Sequence, residues 1–475
     1  MQLLLIKEYL DTVCEQIRFE KAHYFVKKEL KDHIHDQAQA FVLSGMDKKT
    51  ALQKAIAEMG DPILVGTELD RVHRPNLEWS FVLFILLFLL ANLGMRWTVW
   101  KASTATGFPI PSIGINNIIS IFIGIAVMIA FYYIDFTILA QRSKMIYAVY
   151  VGIVALFSIL GNFFGIQGAR FFIHISIFHI VVPPLIYLFP VVLIGLLYDC
   201  RGRSYTAVLL CGASFLLPAL FSFGMRLNTA IFMVAIVSLL LIVITICKGW
   251  FAVHKLKMFL LLFIPILLLG LFLYNVPMFA YRLKSFHIGI QDPYGMDWGK
   301  NILQQNMKGA HLFGVGESYS FYAEEGNLMQ MTPENFFEGA EYFTNYIFHY
   351  FGWIVSFLLL GIYLFFIIRG FILAYRQKSQ LGCMVAIAIL LTILAIYSWN
   401  IFCTSGFFIH ANPLEMPFFA SGGTSNIIYF ILMGILLSVF RTGNYVKDGK
   451  IKMGITQKFF QLKNGKLIIS IPFKK

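Results

Sequence analysis

RVHRPNLEWSFVLFILLFLLANLGMRW, residues 71–97, holds the boundary on which the fold turns. Before Trp79 the chain is densely charged. After it, apolar runs of about 20 residues alternate with short polar connections, the length that a bilayer core demands. The overall composition agrees: 58% of residues are hydrophobic and only 13% charged, with a mean hydropathy of +0.73. Soluble domains carry about twice that share of charge. With 48 Phe and 6 Cys among 475 residues, disordered, collagenous and disulfide-scaffold classes are excluded as well.

Working outward from Trp79, the pattern predicts about ten spans, near 79–95, 117–138, 146–165, 180–199, 205–223, 228–247, 257–277, 342–368, 381–403 and 424–440. The region 160–185 is ambiguous between span and loop. The class expected is therefore an all-α polytopic membrane protein: a small cytoplasmic helical domain over 1–75, a transmembrane domain over 76–441, and a basic cytoplasmic tail over 442–475. In the head, IRFEKAHYFVKKELKDHIHDQAQAFVLSGM (17–46) puts Val26, Leu30 and Ile34 on one stripe. Ser44-Gly45 ends that helix and Asp47 caps the next. The opening MQLLLIKEYLD is too short and too charged for a signal peptide. In the tail, Asn464-Gly465 signals a hairpin.

The formal net charge of +13 is accounted for by topology. With the head inside, the cytoplasmic turns hold Arg142, Lys144, Arg201, Arg203, Lys248, Lys255, Lys257, Arg369, Arg376, Lys378 and Arg441. The outer turns hold fewer cations, among them Arg96, Lys101, Arg170 and Arg226. This positive-inside asymmetry removes the case for nucleic acid as a partner. It also places both termini on the cytoplasmic side of the membrane, which the family resemblance below implies is a bacterial plasma membrane. The cysteines show no CxxC or Cys/His spacing, so no metal site is expected.

One connection is far longer than the rest, the extracellular loop 277–341 between the seventh and eighth spans. It holds Asp292, Asp297, Glu317, Glu324, Glu325, Glu334 and Glu338, mostly an acidic solvated surface, and a glycine cluster in MKGAHLFGVGES (307–318). Glu341, at its end, meets the apolar run YFTNYIFHYFGWIVSFLLLG (342–361). Two roles fit Glu341: a desolvated general base, or a helix N-terminal carboxylate stabilised by the macrodipole. In GNFFGIQGARFFIHISIF (161–178), Arg170 beside Gly168 either clamps phosphate or snorkels to headgroups. His174 and His179 lack a metal-ligand partner at helical spacing and read as structural. In NPLEMPFFASGGTSNIIYFILMGILLSVFR (412–441), irregular backbone at bilayer depth must line a cavity or pack within protein. Thr424-Ser425 then open the last helix, with amides that receive an anion or are simply capped.

These residues resemble the SEDS family, the FtsW/RodA/SpoVE-type cell-wall polymerases, over roughly residues 78–441. The family's LPFxSYGGSS is matched by Met416 to Ser425 (MPFFASGGTS), with Ala420-Ser421 for Ser-Tyr. Its NGAxRW looks like Gln167-Gly168-Ala169-Arg170-Phe171-Phe172. Asp292-Pro293, Gln304-Gln305 and Phe313 to Glu317 echo its outer loop. In the family's HTDFIFAxxxEExG, the catalytic Asp lies eleven residues before the glycine; counted back from Gly352, that position is Glu341. The His-Thr becomes Gly339-Ala340, the Glu-Glu becomes His349-Tyr350, and QPSE becomes Val182-Pro183-Pro184-Leu185.

The resemblance implies a peptidoglycan glycosyltransferase that polymerises lipid II on the outer membrane face, serving cell division, cell shape or sporulation. Glu341 is then the base, with Arg170, Gly168, Arg282, Lys308, Gly422, Gly423, Thr424 and Ser425 holding substrate. It calls for no cofactor, although a divalent cation can assist at a pyrophosphate. The partners implied are lipid II, membrane lipids and a class B penicillin-binding transpeptidase. Two alternatives stand beside it: a flippase for lipid-linked precursors, and a catalytically degenerate scaffold for a transpeptidase. GDPILVGTELDRVHRP (60–75) is similar to the close of the permease-prefix domain, which suggests docking or regulation.

Overall fold

The computed structural model describes residues 2–73, 78–105, 115–166, 169–175, 178–181, 183–223, 228–275, 298–317, 319–322, 328–331, 342–405, 414–419, 423–443, 460–463 and 466–469. The head is four helices, α1 (Gln2–Glu15), α2 (Glu20–Leu43), α3 (Lys48–Glu58) and α4 (Pro62–His73), around their own apolar cluster. Val26 and Ile34 are buried in it, and Leu30 packs against it, as the stripe predicts. Gly45, at φ +96°, closes α2. The Asp47 carboxylate accepts the Lys49 N–H at 3.1 Å and caps α3. Lys27 donates to Asp11 at 2.5 Å, a hydrogen bond that holds the Asp11 carboxyl below its ordinary value. α4 lies directly against α1: a Cβ on Gly66 would come within 2.6 Å of the Val13 carbonyl oxygen.

The rest is a helical membrane body, with α5 (Trp79–Ala105), α6 (Ile115–Tyr133), α7 (Ile138–Gln141), α8 (Ser143–Phe164), α9 (Phe189–Asp199), α10 (Tyr205–Ala213), α11 (Leu216–Phe223), α12 (Asn228–Cys247), α13 (Lys255–Tyr274), α14 (Trp298–Lys308), α15 (Phe343–Tyr375), α16 (Gln380–Thr404) and α17 (Gly423–Thr442). Among the described residues, seven helices are long and apolar enough to cross a membrane, and the shorter apolar helices Ile118–Tyr133 and Pro184–Asp199 stand beside them. α16 forms the centre, buried along almost its whole length. The peripheral helices present leucines such as Leu86, Leu90 and Leu267 outward, as lipid-facing surfaces do. Aromatic stacking joins the layers: Phe84 lies 3.4 Å from Phe366, and Tyr363 lies 4.8 Å from Tyr397.

Three departures from expectation have local causes. The fourth predicted span, 180–199, is helical only from Phe189, because Pro183 and Pro184 open a 3-10 turn (Pro183–Leu188) in place of α-helix. Ahead of it, 165–181 forms an antiparallel sheet of β1 (Gly165–Ile166), β2 (Ala169–Ile175) and β3 (Phe178–Val181). Two further hairpins are small: β4 (Tyr319–Tyr322) with β5 (Leu328–Met331), and β6 (Phe460–Lys463) with β7 (Lys466–Ile469). The latter flanks the Asn464-Gly465 turn signal.

Thirdly, the eighth span is not one helix. α15 runs for 33 residues and is broken at Gly352, whose φ is 81° and ψ 175°. The part after the break, 353–375, is about 35 Å long at 1.5 Å per residue and suffices to cross a bilayer. The part before it lies among protein: residues 344–350 are all buried, nearly two full turns. Backbone groups freed by the break are taken up by residues 311–316. Trp353 and Ile354 N–H donate to the carbonyls of His311 and Leu312 at 3.0 and 3.2 Å, and Gly316 N–H donates to the His349 carbonyl at 2.7 Å.

Two substitutions test these contacts. Gly66→Leu forces α4 off α1, at an overpacking cost of about 1–3 kcal/mol, and hydrogen exchange over Pro62–His73 should quicken by roughly tenfold or more. Gly352→Ala puts a methyl 2.7 Å from the Leu312 carbonyl oxygen at a left-handed φ. We expect a loss of about 1–3 kcal/mol in detergent thermal unfolding, with faster proteolysis within residues 309–317.

Candidate functional site

Just before α17, residues 414–419 are non-helical, and the carbonyls of Leu414, Glu415, Met416, Phe418 and Phe419 are claimed. Asn92 Nδ2 donates to Phe418 O at 2.7 Å, and an Arg96 terminal nitrogen donates to Phe419 O at 2.6 Å. Arg96 Nε also donates to Asn92 Oδ1 at 2.7 Å, which makes the two side chains a single clamp. Asn400 Nδ2 takes Leu414 O at 2.7 Å, the Tyr429 hydroxyl takes Glu415 O at 2.9 Å, and Phe419 N–H takes Met416 O at 2.9 Å. Phe418 sits at φ 68°, a left-handed conformation costly for a bulky residue and held by this network. Of the two settings expected for this irregular backbone, packing within protein is the one found. Glu415 acts on Arg96 as an opposite charge.

The network continues to the residues that follow Glu341. Thr344 donates to Asn400 Oδ1. Asn345 Nδ2 reaches Thr404 O at 3.1 Å and Leu303 O at 3.4 Å, and its Oδ1 accepts from Asn306 Nδ2 at 2.9 Å. Helix α14, the end of α16, the start of α15 and Leu414 are thereby fastened into one polar cluster. Thr344, Asn345, Asn400 and Asn306 are all buried. Such a cluster is stable in apolar surroundings only when its members are mutually bonded. Residues 309–317 then wrap the Gly352 break, with His311 Nε2 3.8 Å from Glu317.

Of the candidate substrate residues, Lys308 is exposed on the last turn of α14. Ser425 is buried and Thr424 half-buried in the first turn of α17, which Gly423 opens. Arg170 lies on β2 and not at the outer end of a helical span; the sheet packs through β3 against α17. Glu341, Gly168, Arg282 and Gly422 lie outside the described residues, as do Asp292, Asp297, Glu324, Glu325, Glu334 and Glu338. His174 and His179, expected to lack a partner at helical spacing, are opposite one another across the β2–β3 pair. No group of three or more His, Cys, Asp or Glu that could hold a metal occurs among the described residues. The Asn92–Arg96 clamp was not among the candidates, although an i,i+4 polar pair on an apolar helix is a legible signal.

No protein-family model and no curated protein sequence matches this chain. Solved structures do. A chain of a peptidoglycan synthase complex that coordinates polymerization and crosslinking aligns with a TM-score of 0.57 at 16% identity, over 77% of this chain and 98% of its own. The crystal structure of the rod shape determining protein RodA from Thermus thermophilus aligns with a TM-score of 0.50 at 14% identity, over 77% and 97%. The chain has the RodA fold, the architecture that the SEDS resemblance implies.

Proposed function

We propose that the protein is a peptidoglycan glycosyltransferase that joins lipid II units into glycan strands at the outer face of the membrane, with Glu341 as general base. One observation carries this most: the residues just after Glu341 are locked by Thr344 and Asn345 to α14, to the end of α16 and to the 414–419 turn. Such chemistry needs a base placed within tight tolerance, and a rigid segment beginning three residues after Glu341 supports that reading. The RodA fold adds support, since a protein of that fold determines rod shape and another belongs to a peptidoglycan synthase complex.

In this reading Glu341 takes the proton of the acceptor sugar hydroxyl as its oxygen attacks the donor's anomeric carbon. The bond from that carbon to pyrophosphate breaks, and undecaprenyl pyrophosphate leaves with the bonding pair. Arg170, Arg282 and Lys308 neutralise the departing charge, while Gly168, Gly422, Gly423, Thr424 and Ser425 offer backbone and hydroxyl donors. A divalent cation can share that load. A class B penicillin-binding transpeptidase is the partner we infer, because the neighbouring complex couples polymerization to crosslinking. Residues 1–75 serve as a cytoplasmic docking module on the body 76–441, and the basic tail 442–475 lies against the inner leaflet.

Glu341→Gln should lower lipid II polymerisation by the purified protein about 100-fold or more, and Glu341→Asp should keep or raise the rate. Unchanged rate and product length in Glu341→Gln would refute the base. Indifference to both substitutions would leave the non-catalytic scaffold. Arg96→Ala frees the carbonyl of Phe419 and costs about 1–3 kcal/mol in unfolding measurements. Arg96→Lys should not recover it, because an ammonium cannot span Asn92 and Phe419 together.

A further inference from the structure

At the other end of α17 from the 414–419 turn, a cavity of about 240 Å³ opens between α6, the α7–α8 joint and α17. Its walls include Phe131, Ile134, Phe136, Leu139, Ile146 and Ile435. The two polar wall residues are turned to backbone: Ser438 Oγ donates to Ile134 O at 2.6 Å, and Asp135 Oδ1 accepts the Thr137 N–H at 3.1 Å. A space this size holds several waters' worth of volume, yet offers water too few partners to settle there. Ile134 and Ile138 remain exposed, so the cavity is reachable from the surface of the bundle.

Cations border it. Arg142 and Lys144 are exposed in the α7–α8 joint, between the wall residues Leu139 and Ile146. Arg441 stands one turn beyond Ser438, its guanidinium over the rings of Tyr132 and Tyr133 at 4.4 and 5.3 Å. Among the described residues it donates a long 3.5 Å bond to Tyr133 O, and its Nε has no hydrogen-bond partner there. This is the end of the bundle where the basic turns gather, the cytoplasmic one by the positive-inside asymmetry.

We propose that this is a binding site for an anionic phospholipid of the cytoplasmic leaflet, with one acyl chain in the cavity and its phosphate at Arg142, Lys144 and Arg441. Moving a tail from bilayer hydrocarbon into an apolar cavity brings no hydrophobic gain, so selection falls to the headgroup. Guanidinium forks match phosphate oxygens, and three cations outweigh the one wall carboxylate, Asp135. The site is independent of the outer-face chemistry and stands whether or not polymerisation does.

Native mass spectrometry of the full chain in mild detergent, titrated with phosphatidylglycerol and phosphatidylcholine, tests it. The chain should retain one phosphatidylglycerol about tenfold more tightly than phosphatidylcholine. In the Arg142→Gln/Lys144→Gln double variant, whose residues are exposed and free of packing duties, that preference should shrink to about twofold. Ile435→Phe, which fills the cavity, should weaken both lipids. Equal retention of the two lipids, a preference surviving the double variant, or full displacement by glycerol phosphate without a tail would each overturn the proposal. So would tail binding undiminished in a folded Ile435→Phe.

Discussion

Backbone that leaves the helix inside an apolar environment must find its hydrogen bonds elsewhere, and the clamp of Asn92 and Arg96 on the Phe418 and Phe419 carbonyls meets that demand. The first membrane helix holds the turn before the last one, and the central helix α16 holds the same turn through Asn400. Replacing these groups with apolar ones would leave several carbonyls bare at once. The strained φ of Phe418 is tolerable only because the clamp over-determines it.

The break in α15 obeys the same rule from the opposite side. There the helix sacrifices its own ladder at Gly352, and loop residues 309–317 supply the missing partners. Residues 309–317 thus become part of the scaffold, along with α14. Between the two irregularities, Thr344, Asn345 and Asn400 tie the start of α15 to α14 and to the 414–419 turn.

The sequence showed the architecture plainly, since runs of about 20 apolar residues have few alternatives in a bilayer. Gly45 and Asp47 are legible for a local reason: each fixes its own helix end. The sheet at 165–181 was hidden because a short run of aromatic and β-branched residues reads equally as strand or buried helix. In sequence Gly352 reads only as the end of a motif; its left-handed φ is accompanied by bonds to loop carbonyls some forty residues earlier in the chain. Arg96 was read as one more outer-turn cation, since the turn that engages it is distant in sequence.

Asn92 and Arg96 are separated from their acceptors by 326 and 323 residues. A ribosome working at roughly 5–20 residues per second needs on the order of 16 to 65 s to cover that distance. Throughout that interval the newly inserted first span carries an amide and a guanidinium whose native acceptors have yet to be synthesised. Arg96, near the end of the apolar span Trp79–Thr98, can reach water and lipid phosphates meanwhile, so biogenesis can proceed in chain order. Closure of the bundle then becomes the final event of synthesis, and a nascent product that stops short of residue 414 is left displaying an unquenched charge for membrane surveillance to detect.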